Sequence, residues 1–102
     1  MAIWQDAAAA ADVVEGEPLG LALGGMPIVL FRLEDGVFAL HDLCSHGQAR
    51  LSDGFVEDGC VECPLHQGLV DIRNGAARSE PIIDPVRSYP VRIVDGRVQV
   101  EL

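Results

Sequence analysis

Apolar positions along the chain fall into short runs separated by turn residues. "PLGLAL" is followed by Gly24-Gly25 and then "MPIVLFRL". Glu34-Asp35-Gly36 leads into "VFALHDL", Asp58-Gly59 parts "FV" from "CVEC", and Asp95-Gly96 joins "YPVRIV" to "RVQVEL". Asp-Gly and Gly-Gly pairs favour tight hairpins because both central residues can take positive φ. "VRIVDGRVQVEL" alternates with period two, which predicts a half-buried strand pair. Asn74-Gly75 adds a further turn after "LVDIR". Strands this short and this regularly spaced predict an antiparallel all-β domain.

Two stretches depart from the strand pattern. Asp6 followed by Ala7 to Ala11 predicts one helical turn capped by Asp6, too short to stand without packing. "SEPIIDPVRSYP", residues 79–90, holds three of the six prolines and predicts an extended, rigid loop.

The chain's 102 residues suit one domain with a real but thin core, which a bound metal would reinforce. Its formal charge of −9 argues against a nucleic-acid partner and suits partners with basic docking faces. No run approaches the ~20 apolar residues of a membrane-spanning helix. Met1 to Asp6 carry no basic residue, so a secretory leader is not expected and a cytoplasmic location is. Three cysteines, an odd number, fit a metal or redox role in a reducing compartment better than a disulfide scaffold.

All three cysteines and two of the three histidines lie in "LCSHGQARLSDGFVEDGCVECPLHQGL", residues 43–69. Four of them form two mixed pairs, Cys44-x-His46 and Cys63-x-x-His66, with sixteen residues between. Each pair follows a predicted strand, so two loops would project side by side and bring two sulfurs and two nitrogens together. Tetrahedral zinc accepts such a set, and so does a [2Fe–2S] cluster with thiolates on one iron and imidazoles on the other. Zinc fingers usually group Cys with Cys and His with His, whereas mixed pairs let each loop give one ligand to each iron. Of the other candidates, Cys60 reads as a small strand residue rather than half of a Cys60-x-x-Cys63 dithiol. His41 reads as a strand-end histidine and Trp4 as a core or edge anchor. Arg50, Arg73 and Arg78 read as solvated charges.

The C-x-H and C-P-x-H pairs resemble those of Rieske iron–sulfur proteins. From about residue 13 to the end the chain is similar to the free-standing Rieske ferredoxins that serve bacterial aromatic-ring dioxygenases. That resemblance implies three stacked antiparallel sheets, a three-sheet sandwich. A cluster-binding subdomain of about residues 42–80 would be inserted in a β base of residues 1–41 and 81–102, with Pro81 to Pro85 covering the cluster. It implies Cys44 and Cys63 on a buried iron, and His46 and His66 on an outer iron near the surface, as the ligands of one [2Fe–2S] cluster. The function implied is one-electron transfer from a ferredoxin reductase to a terminal oxygenase, by a monomer that is not itself an enzyme. Gly47, Gln48, Gln67 and Gly68 would let a partner approach the histidines.

Relatives in respiratory complexes carry an extra cysteine in each loop; Gln48 or Ala49 and Leu65 stand at those places, so no disulfide is expected. Where those relatives place a serine and a tyrosine that donate to cluster sulfur, this chain has Gly68 and Val70. Fewer donors leave the reduced cluster less stabilised, which implies a midpoint near the low end of the Rieske span, about −150 mV. Two other classes accommodate the same residues: a Cys₂His₂ zinc module, and a small regulatory or assembly subunit of another reductase.

Overall fold

β3 (Met26–Leu33) carries the longest apolar run and sits where that run demands, between two cores. Its side chains alternate: Val29 and Phe31 enter one buried cluster, Ile28 and Leu30 the other. A strand covered on both faces reads as continuous hydrophobicity rather than alternation. The computed structural model of the protein describes residues 3–43, 49–64, 68–78 and 85–102. In chain order its other strands are β1 (Trp4–Ala9), β2 (Leu19–Leu23), β4 (Gly36–His41), β5 (Phe55–Glu57), β6 (Cys60–Glu62), β7 (Leu69–Asp71), β8 (Ser88–Tyr89), β9 (Val91–Val94) and β10 (Arg97–Glu101).

These strands form three sheets, ordered β1-β10-β9, β2-β3-β4-β8 and β5-β6-β7, and every pairing between named strands is antiparallel. The four-stranded sheet is the middle layer. On one face Ile28, Leu30, Val37 and Ala39 meet Val98 and Val100 of β10. On the other, Val29, Phe31 and Leu40 meet Val61 and Val70 of the small sheet, with Leu51, Cys63, Ile72 and Val86. The small sheet lies in sequence between β4 and β8, so both cores rest on strands of the middle sheet. No helix among the described residues is long and apolar enough to cross a membrane.

The expected turns are present. Gly24-Gly25, Asp58-Gly59 and Asp95-Gly96 all have positive φ at both residues and join β2 to β3, β5 to β6 and β9 to β10. Positive φ at both centres matches the twist of adjoining strands, which explains why Asp-Gly occupies two of these turns. Asn74-Gly75 makes a turn in which the Asn74 side chain accepts from the Ala76 amide. Gly75 has positive φ and lies so close to the Val86 carbonyl that a side chain there would collide with it.

Three expectations require correction. Ala7, Ala8 and Ala9 are strand, not helix: β1 pairs with β10 through a register shift between Asp6 and Ala8, and only Ala10–Asp12 form a 3-10 turn. Alanine's helix preference is worth only tenths of a kcal/mol per residue over most others, too little to outweigh a strand ladder. Asp6 caps nothing; it forms a two-pronged ion pair with Arg97. The 3-10 turn is held instead by Arg32, which donates to the carbonyls of Ala10 and Val13, both at 2.7 Å. Second, Ser88–Tyr89 of the proline-rich stretch form β8 against β4, while residues 79–84 lie outside the described residues. Third, Arg73 is not simply solvated: it grips Asp35 at 2.8 and 2.9 Å and lies over the Phe38 ring.

Candidate metal centre

Cys63 follows β6 directly, and strand alternation points it inward with Val61. It is completely buried, carries a free thiol, and packs in the cluster that contains Leu51, Val70 and Ile72. Its amide donates to the Gly68 carbonyl at 2.9 Å, which closes the second loop at its base. Of the four sequence-predicted ligands Cys63 alone is described; Cys44, His46 and His66 lie outside the described residues, as do Gly47, Gln48, Leu65 and Gln67.

The ends of the first loop are close together. Leu43 and Arg50 form an antiparallel bridge, and the Leu51 amide donates to the Asp42 carbonyl at 2.7 Å. Leu51 then enters the same cluster as Cys63, with Ala49 packed against it. The returning limb touches β6 at Gly54, where an added Cβ would lie 2.2 Å from the Glu62 carbonyl oxygen. That contact admits only glycine and brings the base of the first loop against the residue preceding Cys63. A third pair of chain ends borders the same cluster: the Arg78 amide donates to the Leu69 carbonyl, and the Val86 amide to the Gly75 carbonyl. Three stretches that carry or flank the candidate ligands therefore start and finish around one apolar cluster.

This setting fits an iron–sulfur group. A thiolate buried among aliphatic side chains is costly unless a positive centre compensates it, and a ferric iron supplies that charge. Sulfur donated from the apolar side suits the soft half of a mixed S/N set. Among the described residues no group of three or more His, Cys, Asp or Glu side chains is gathered for a metal.

Cys60 takes no part in a dithiol. It pairs with Glu57 and Asp71 at the far end of β6. Alternation turns it away from the face that Cys63 occupies, and three extended residues separate their Cα atoms by roughly 10 Å, too far for a disulfide. Burial, and then the Asp71 charge, push its thiol pKa up. His41 ends β4, with its amide donating to the Arg87 carbonyl, in keeping with a strand-end role. Trp4 lies half-buried on β1 under the Arg92 guanidinium, an edge anchor.

Sequence reasoning passed over Asp42. It is 1% exposed, the one charged side chain wholly buried among the described residues, and it stands two positions before Cys44. An acid in "VFALHDL", at the end of an apolar strand, was the available signal.

Residues 3–90 match the family described as the Rieske [2Fe-2S] domain. The chain belongs to this family. It is 58% identical over 102 residues to the anthranilate 1,2-dioxygenase ferredoxin subunit of Burkholderia cepacia, covering 100% of this chain and 94% of that one. Among solved structures it resembles the ferredoxin of Sphingomonas yanoikuyae B1, with TM-score 0.91 and 35% identity over 96% of this chain and 97% of that one. It also resembles a chain in the complex of reduced oxygenase and oxidized ferredoxin in carbazole 1,9a-dioxygenase, with TM-score 0.88 and 32% identity, covering 96% and 92%. The protein is thus a Rieske-type ferredoxin of the kind found in aromatic-ring dioxygenase systems. Its cofactor is a Rieske [2Fe–2S] cluster, and it is an electron carrier rather than an enzyme in its own right. When bound, the cluster supplies one-electron redox chemistry, and the apolar residues around Cys63 would wall it on one side.

Proposed function

We propose that this ferredoxin takes one electron at a time from a ferredoxin reductase and delivers it to a terminal aromatic-ring oxygenase, in the cytoplasm. Cys44 and Cys63 would bind one iron, and His46 and His66 the other. The histidine side would be the face that both partners approach, and residues 42–80 the cluster-binding subdomain. The observation that carries this reading is the buried Cys63 thiol, set where the bases of both candidate ligand loops meet. The formal charge of −9 favours partners with basic docking faces. The 58% identity to an anthranilate dioxygenase ferredoxin favours an oxygenase acting on an aromatic carboxylate of that class.

Electron paramagnetic resonance of the dithionite-reduced protein tests the ligand set. The expected result is a Rieske-type signal with nitrogen hyperfine coupling, and a midpoint near −150 mV, at the low end for this cluster type. A colourless protein holding one zinc, or a clearly positive midpoint, would contradict it. Reconstitution with a reductase and an anthranilate oxygenase tests the partners. Stable isolation with a large reductase and no transfer to any oxygenase would instead identify a reductase subunit.

A further inference from the structure

We propose that Asp42 is the positioning residue of the first ligand loop: its carboxylate clips together the two chain ends from which Cys44 and His46 are presented. This rests on the ligand set proposed above.

Asp42 belongs to the outgoing end of that loop, and its three side-chain partners all belong to the returning end. Oδ1 accepts from the Ser52 amide at 2.7 Å, and Oδ2 accepts from the Ser52 hydroxyl at 2.8 Å. The Arg50 guanidinium lies 3.6 Å from Oδ2. The Asp42 backbone works in the same sense. Its carbonyl takes the Leu51 amide at 2.7 Å, while its own amide donates to Pro27 at 3.0 Å and fixes the outgoing end to β3. An acid buried this deeply would be a net cost without such partners. Its hydrogen bonds are charge-assisted and directional, so they hold the two ends in one register, which an apolar residue of similar size cannot do.

Gly20 of β2 backs the clip. Its backbone torsions are ordinary, yet an added Cβ would lie 2.9 Å from Ser52 Cβ and 3.1 Å from Asp42 Oδ2. The clip therefore sits between β2 and the two chain ends it joins.

The test uses the cluster-loaded full chain, with Asp42→Ala, Asp42→Asn, Ser52→Ala and Gly20→Ala beside Ile93→Ala as a control, since Ile93 is 48% exposed and lies on β9, in a different sheet from the clip. The readouts are iron release to a chelator, the reduced-state paramagnetic spectrum and the midpoint. Asp42→Ala should release iron about tenfold faster and broaden the spectrum, as expected for losing a charged hydrogen bond. Asp42→Asn, which keeps an acceptor for the Ser52 amide, should recover most of the retention while moving the midpoint upward, because a negative charge is lost. Ser52→Ala and Gly20→Ala should fall between, and Ile93→Ala should match wild type. Iron release and spectra within twofold of wild type in Asp42→Ala would overturn the proposal, even with a lowered melting temperature. Should Asp42→Ala fail to fold, unchanged iron release in both Ser52→Ala and Gly20→Ala would overturn it equally. Failure of the ligand reading is separate: it would appear as a wild type without a Rieske signal, or as Cys44→Ser keeping its cluster.

Discussion

The base of the molecule and the small sheet use the same antiparallel pairing to different ends. In the base, β3 has eight residues and β10 five, and both are ladder-bonded on two sides. In the small sheet β5, β6 and β7 have three residues each, and its apolar face is completed by Val29, Phe31, Leu40 and Val86 of the base. The base can thus persist through its own ladders and core. The small sheet borrows half its core, and its remaining support must come from the loops it carries and from whatever those loops bind. Under the proposed ligand set, metal ligation would do for the insert what long strands do for the base.

Removing a proposed ligand should expose this difference most strongly. Cys63→Ser is expected to abolish the visible absorption of the cluster while the far-ultraviolet strand signature stays near wild type. Amide exchange should quicken at Val61 and Val70 and remain slow at Leu30, Val98 and Val100. Uniform loss of protection across both regions would show that the base also depends on the metal, and the comparison would fail.

A pair of core truncations sharpens it at the next scale. Leu51 and Leu30 are both fully buried, one in each cluster. Each Leu→Ala change should cost about 2–5 kcal/mol in denaturant unfolding of the apoprotein. Their effect on the cofactor should differ. Leu51→Ala should speed iron loss several-fold at room temperature, since Leu51 begins where the first loop ends, whereas Leu30→Ala should leave iron loss unchanged until the whole domain melts. Equal iron-loss rates in the two variants would mean that one cooperative core serves both regions.

The same division governs what the sequence disclosed. In the base, hairpins were legible because Gly24-Gly25 and Asp95-Gly96 carry their conformational requirement in their chemistry. The doubly buried β3 was legible because its apolar run is unbroken. In the insert, strands of three residues leave almost no periodicity, and only the Asp58-Gly59 and Asn74-Gly75 turns and the spacing of thiols and imidazoles were legible. What stayed hidden was contact across sequence. Ala7 to Ala9 read as helix because nothing local announces β10, some ninety residues away in the chain. Ser88–Tyr89 read as loop because their pairing with β4 is equally remote. Asp42 was passed over because its burial depends on Ser52 and on the absence of a side chain at Gly20. Cys63 is fully buried, and Cys44, His46 and His66 lie outside the described residues.

The smallest effect concerns the ion pairs, and it too separates the regions. Asp35 lies in the turn between β3 and β4, and Arg73 follows β7, so their paired hydrogen bonds clamp the base to the insert. Asp6 and Arg97 make the corresponding pair wholly within the base, between β1 and β10. In both, the hydrogen bond from arginine holds the carboxyl below its ordinary value of 3.8. A carboxyl with a depressed folded pKa contributes stability that is fully present above 3.8 and is lost as pH falls through the lower, folded value. Between pH 5 and 2, Asp35→Asn should therefore flatten the acid-induced loss of protection at Val61 and Val70, and Asp6→Asn should flatten it at Val98 and Val100. Both changes should be modest and should shrink in high salt, because the groups are exposed. If Asp35→Asn altered acid sensitivity at Val98 and Val100 as much as at Val61 and Val70, the clamp would join two parts that already unfold as one. The contrast between a self-sufficient base and a dependent insert would then be lost.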